Sequence, residues 1–209
     1  GSQTSISAEV LDLPVTNTIQ NKYYATIQAA IDDATAGDVV EVCAGTFVEQ
    51  LHITKNLTIQ GAGDATIIKS PSLLPLSFTT SVANKPVVFV DGATNVIIKN
   101  LLVDGDDKGN ANYRFLGIAY WNAGGAMENV EVINVMDSPF SGVQHGNAIY
   151  AYNNTAGPYT LALNGIQVSD FQKNAISMNG NGNLSATVNN ATITGAGATS
   201  VTAQNGIQF

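Results

Sequence analysis

The chain has 209 residues, 44% of them apolar and only 11% charged, with sixteen acidic against eight basic side chains and a formal net charge of −8. That length and apolar content fit one folded domain with a sizeable core and exclude a disordered chain. The acidic balance excludes nucleic acid as a partner, because phosphate backbones call for clustered Lys and Arg. No apolar run approaches the roughly 18 residues that span a bilayer, so membrane insertion is not expected.

Gly1-Ser2 reads as an expression scar, leaving 3–209 as a single domain with an N-terminal cap at about 20–37 and coils at about 38–209. Between Thr26 and Ala34 the apolar residues fall at Ile27, Ala30, Ile31 and Ala34, the spacing of one helical face, and Gly37 stands where a C-terminal cap belongs. The period then switches to two. Val40, Val42 and Phe47 are followed by Leu51-His52-Ile53, Leu57-Thr58-Ile59 and Thr66-Ile67-Ile68, short β-branched segments divided by corners such as Ala44-Gly45 and Gly61-Ala62-Gly63. Cys43 is the only cysteine and reads as a small buried residue closing the first of these strands.

The stretch Thr26-Ile27-Gln28-Ala29-Ala30-Ile31, then Gly37-Asp38, Ala44-Gly45-Thr46-Phe47-Val48-Glu49 and Leu57-Thr58-Ile59-Gln60-Gly61-Ala62-Gly63 resembles the opening of right-handed parallel β-helix proteins of the pectin lyase-like superfamily. It is most similar to the N-terminal region of pectin methylesterases. The resemblance covers about forty residues and implies a helix laid over the open end of the first coil. The esterase catalytic strings are absent. Those of the related polygalacturonases reduce to Asp106-Asp107 and Gln144-His145-Gly146, and the only Arg, where a pectate lyase needs a base, is Arg114.

The second half repeats. Asn147-Ala148-Ile149, Asn174-Ala175-Ile176 and Asn205-Gly206-Ile207 share a pattern, with Leu116-Gly117-Ile118 and Val87-Val88-Phe89 in the corresponding earlier places. Units of this length that cannot bury an apolar face alone must stack, so the expected fold is all-β: a right-handed, single-stranded parallel β-helix with a short N-terminal capping α-helix. Aligning coils on the Ile predicts an inward column Val88, Ile118, Ile149, Ile176, Ile207 and a second one Val90, Tyr120, Ala151, Met178, Phe209. Second strands start at Asn100, Asn129, Asn164 and Asn190; these and Asn147, Asn174 and Asn205 read as corner residues whose amides bridge adjacent coils.

The same alignment sends Phe89, Ala119, Tyr150, Ser177 and Gln208 outward, and beside them Asp91, Trp121, Tyr152 and Asn179. Exposed rings flanked by hydrogen-bonding groups suit the apolar face of a sugar, so Asp91, Trp121, Tyr152, Asn179 and Tyr150 are the candidate ligand-binding residues. The alternative is a satellite core closed by a long loop, Asp104 to Phe115 or Met136 to Gly146. The acid run Asp104-Gly105-Asp106-Asp107-Lys108 offers Asp104 and Asp106 as an acid–base pair, and Asp104, Asp106 and Asp107 as ligands of a loose Ca²⁺ site; no other cofactor is expected. His145 is a third catalytic candidate, against the reading of a corner residue. His52 reads as a surface imidazole without a partner.

Together these features favour a non-catalytic extracellular or cell-surface module for display, adhesion or glycan binding, with a polysaccharide or cell-surface glycan as partner. The alternative is a polysaccharide-active enzyme, a lyase or glycoside hydrolase. The last coil has no cap, so the chain reads as a fragment of a longer secreted protein, with end-to-end self-association through that coil as a further expectation.

Overall fold

The computed structural model describes residues 13–209; Gly1 and Ser2 lie outside the described residues. A hairpin of β1 (Val15–Asn17) and β2 (Lys22–Tyr24) precedes the helix α1 (Ile27–Asp33). The first coil carries β3 (Val39–Val42), β4 (Gly45–Val48) and β5 (Leu51–Ile53). The next carries β6 (Thr58–Gln60), β7 (Thr66–Lys69), the two-residue β8 (Phe78–Thr79) and β9 (Ala83–Asp91). Then come β10 (Val96–Asp104) with β11 (Phe115–Trp121), and β12 (Gly125–Ile133) with β13 (Asn147–Asn153). The last two coils are β14 (Tyr159–Asn164), β15 (Gln167–Ser169) and β16 (Asn174–Gly180), then β17 (Leu184–Asn189), β18 (Thr192–Thr194) and β19 (Asn205–Gln208).

From β3 onward every strand but β8 pairs in parallel with its counterpart one coil away, and the coils wind as a right-handed parallel β-helix with three faces. The first face runs from β3 through β6, the first half of β10 and of β12, and β14 to β17. The second runs from β4 and β7 through the second halves of β10 and β12 to β15 and β18. The third is β5, β9, β11, β13, β16 and β19. In it Leu51, Val88, Ile118, Ile149, Ile176 and Ile207 stand in register, and so do Ile53, Val90, Tyr120, Ala151 and Met178. All of these except Ile207, which is 42% exposed, lie in the buried core that fills the coil interior.

Long strands turn a corner without breaking. Asn100, Asn129 and Asn190 have φ of 54°, 51° and 53°, and Gly165, in the same column, has 67°. An L-residue pays a steric penalty there, and Asn tolerates it best because its short amide bonds locally. The amides also link coils. Asn129 donates to Asn100 at 3.2 Å and Asn190 to Asn164 at 3.2 Å; at the start of the third face Asn174 donates to Asn147 at 2.9 Å and Asn205 to Asn174 at 2.7 Å.

At the N-terminal end α1 buries Ile27, Ala30 and Ile31 in the main core. Thr26 caps it by accepting from the Ala29 N–H, and the Glu49 carboxylate accepts from the N–H groups of Ile27 and Gln28. The helix ends at Asp33, with Ala34 rather than Gly37 as its C-cap; Gly37, at φ +96°, turns the chain toward β3 and donates to Asn56 O. The hairpin was not foreseen: β1 pairs antiparallel with β3 and covers that sheet edge. Asp38 fastens it, accepting from Asn17, Gln20 and the Thr35 N–H and hydroxyl. The Asn17 hydrogen bond, then that from the Thr35 backbone, lower its pKa to about 2. Cys43 departs from expectation in being exposed, because it lies just past β3, in the corner, where the alternation has ended. At the other end the outer edge of β19 pairs with no strand among the described residues, and Phe209 is 76% exposed.

Candidate functional site

On the outside of the third face two columns run side by side in register. One is His52, Phe89, Ala119, Tyr150, Ser177 and Gln208; the other is Asp91, Trp121, Tyr152 and Asn179. The structure thus brings together Asp91, Trp121, Tyr150, Tyr152 and Asn179, because parallel in-register coils place equivalent residues about 4.8 Å apart. Trp121, Tyr150 and Tyr152 are each half-buried.

The rings do not lie flat on the sheet with their faces outward, as a platform would require. They stack on one another along the coil axis, Trp121 on Tyr152 with centroids 5.2 Å apart and planes 20° from parallel and His52 on Phe89 at 4.9 Å and 12°, while Tyr150 lies beside Tyr152 on the same strand at 6.3 Å and 13°. The column has one gap, at Ala119, and Phe78 fills it. Its ring lies 5.3 Å from Phe89, 4.8 Å from Trp121 and 6.1 Å from Tyr150, near parallel to all three, and closes a small second core with Phe89, Leu116 and Ala119. The covering segment is neither of the two loops that sequence suggested, but residues 70–82 between β7 and β9. Nothing local in that stretch announces where its one aromatic residue lands.

Polar groups bracket the rings. At one end His52 Nε2 lies 3.2 Å from Asp91 Oδ2, with both side chains about one-third exposed, so His52 has the partner that sequence did not supply. The signal was available, since His52 and Asp91 occupy adjacent columns on adjacent strands. At the other end Asn179 donates to Ser177 Oγ at 3.1 Å. Burial and the neighbouring Tyr152 raise the Tyr150 pKa, against the opposing pull of Asn179 and the Arg114 charge, so its hydroxyl keeps its proton at neutral pH.

The remaining candidates sit in other networks. Asp104 Oδ1 accepts from the Asp106 N–H and from Asn134, while Asp106 pairs with Lys69 at 2.6 Å and Lys108 at 2.9 Å. Burial works to raise the Asp106 pKa, but the hydrogen bonds from Lys69 and Lys108 outweigh it and hold the carboxyl below its ordinary value, which suits a fixed charge and not a proton donor. Asp107 moves the other way, raised by burial and then by Asp104, Asp106 and Asp170. Among the described residues no group of three His, Cys, Asp or Glu side chains is gathered as a metal site requires, and that holds for Asp104, Asp106 and Asp107.

His145 is 4% exposed and has both ring nitrogens engaged. Nδ1 accepts the Arg114 N–H at 2.9 Å, so the proton sits on Nε2, which donates to Asp137 Oδ1 at 2.9 Å. Asp137 in turn accepts from Ser141 and Gln172, and its own N–H donates to Gln172 Oε1. With no nitrogen left to exchange a proton with a substrate, this is a buried clasp that ties the 136–146 loop to its neighbours. Sequence reasoning missed Asp137, Ser141 and Gln172 because their partners lie up to 35 residues away.

No family model matches the chain, and neither does any curated protein. Among solved structures the chain is similar to a pectin methylesterase mutant in complex with a hexasaccharide, at 11% sequence identity and a TM-score of 0.44 over 77% of this chain. The match spans about half of that structure, 52% of its length.

Proposed function

We propose that this β-helix is a non-catalytic, glycan-binding module displayed outside the cell, and that the outer surface of the third face, around Trp121, Tyr150, Tyr152, Asn179 and Asp91, is where the glycan lies. The observation that carries the reading is the co-alignment of half-buried rings with hydrogen-bonding groups at both ends of the row, on a surface long enough to follow a chain of sugars. Tyr152 has one face against Trp121, and in the next coil its neighbour is the shorter, polar Asn179. A pyranose ring packed there meets an aromatic face and an amide together.

The test is a panel of neutral and acidic hexasaccharides titrated by calorimetry into the protein and into Tyr152→Ala. Saturable binding that falls at least tenfold in the variant supports the reading; equal affinity in both contradicts it.

One observation favours a second reading, a polysaccharide-active enzyme. The His52–Asp91 pair is partly exposed at the end of the row, and a carboxylate that orients an imidazole is a common general-base arrangement. Release of reducing ends or unsaturated sugars that disappears in Asp91→Asn would select it.

A further inference from the structure

Ala119 interrupts the ringed stretch of its column, His52 and Phe89 on one side and Tyr150 on the other. Phe89 and Tyr150 stand two coils apart, roughly 10 Å, which leaves room for one six-membered ring between them. Trp121, two residues along the strand from Ala119, walls the side, and Leu116 is on the other. Without its present occupant this is an aromatic slot with a small floor, the shape that takes a ring from both faces.

The occupant, Phe78, reaches the slot from a strap that is otherwise mostly exposed. It is the only buried residue between Leu74 and Asn84; its neighbours from Pro75 to Ser77 and from Ser81 to Ala83 are exposed. The segment is fixed firmly upstream, where Asn112 and Lys85 bond Ser72 and Leu74. Beyond that it has the paired bonds of Gln50 with Leu76 at 2.9 and 3.0 Å, a two-residue antiparallel contact of β8 with β9, and the Asn84 amide gathering Phe78 O, Thr80 and Val82 O. The two Gln50 bonds are exposed, where water replaces them at small net cost, while the Asn84 bonds at the base of the strap are buried or half-buried. Withdrawal of one side chain empties the slot.

We propose that the slot over Ala119 is a ring-binding subsite, that its ligand is a neutral pyranose unit of a glycan, and that Phe78 occupies it as an internal competitor. The ligand class rests on the glycan reading above; the slot and the competition do not. A neutral ring is favoured because the slot is walled by the rings of Phe89, Trp121 and Tyr150 and by Leu116, which offer carbon faces. The apparent affinity is then the intrinsic one reduced by the fraction of molecules with Phe78 withdrawn.

Trp121 is the only tryptophan and touches Phe78, so its emission reports the slot directly. Neutral hexasaccharides of glucose and of xylose, and benzyl alcohol as a bare ring, would be titrated into the wild type, Phe78→Ala, Gln50→Ala and Ala119→Phe. The proposal expects Phe78→Ala to bind the hexasaccharide about tenfold more tightly than wild type, Gln50→Ala to gain about twofold, and Ala119→Phe to lose binding. Weaker binding in Phe78→Ala, or unchanged binding in Ala119→Phe, overturns it. Should Phe78→Ala fail to fold, the sign of the Gln50→Ala effect decides. If no hexasaccharide binds any form, the glycan reading falls and benzyl alcohol decides the slot. Saturation in the wild type at about tenfold higher concentration than in Phe78→Ala upholds the competition, and no saturation of the wild type removes it.

Discussion

The acidic turn at Asp104–Asp107 and the aromatic row on the third face hold the most chemically capable side chains, and they use them in opposite ways. In the turn, Asp104 and Asp106 are answered within the protein by Lys69, Lys108, Asn134 and a backbone N–H. On the row, His52, Asp91 and the three half-buried rings are only partly engaged by each other and still meet water. A carboxylate-dense sequence therefore marks a fold-holding cluster, while the less conspicuous alternation of single aromatic and polar residues marks the surface on which the proposed glycan site lies.

The largest effect that sharpens this contrast belongs to a residue on the closed side. His145→Ala removes the hub of a buried network and strands the Asp137 carboxylate, so a loss of about 3 kcal/mol in unfolding free energy is expected, read from urea midpoints, with ligand affinity of the folded protein unchanged. A stable variant with impaired binding would move His145 to the functional side.

Asp38 is next. Its carboxyl is depressed to about 2 from an ordinary 3.8, so its stabilising contribution is full above pH 4 and is lost as pH falls toward 2. Asp38→Asn should cost about 2 kcal/mol at pH 7 and progressively less in acid, the two midpoints converging near pH 2. A difference independent of pH would remove the charge from the account. The smallest effect is at the turn itself: Asp106→Asn breaks pairs whose members are about one-third exposed, and should change stability by less than about 1 kcal/mol, with that difference shrinking in high salt.

How far the fold was legible follows from the same residues. The inward column at Ile118, Ile149 and Ile176 and the ladder at Asn147, Asn174 and Asn205 repeat with the coil, so their register could be read directly, and with it the grouping of Asp91, Trp121, Tyr152 and Asn179. Strict alternation fails just before the inward Ile column of the third face. Val87 with Val88, Ala148 with Ile149 and Ala175 with Ile176 all enter the main core, because the strand there is rounding a corner. Features that occur once were not legible: the β1–β2 hairpin, the exposure of Cys43, the loop clasp around His145, and Phe78 in the gap at Ala119. The hairpin, the clasp and Phe78 are settled by contacts with no repeat to announce them and Cys43 by the corner that ends the alternation, and Phe78 changes the site most, since it fills the gap at Ala119.

The central claim is that binding belongs to the row and not to the turn, and the most direct test sets one against the other. Hexasaccharide affinity would be measured in parallel for the wild type, Tyr152→Ala and Asp106→Asn. The account predicts at least a tenfold loss in Tyr152→Ala and wild-type affinity in Asp106→Asn. Loss of binding in Asp106→Asn with Tyr152→Ala unaffected would contradict it.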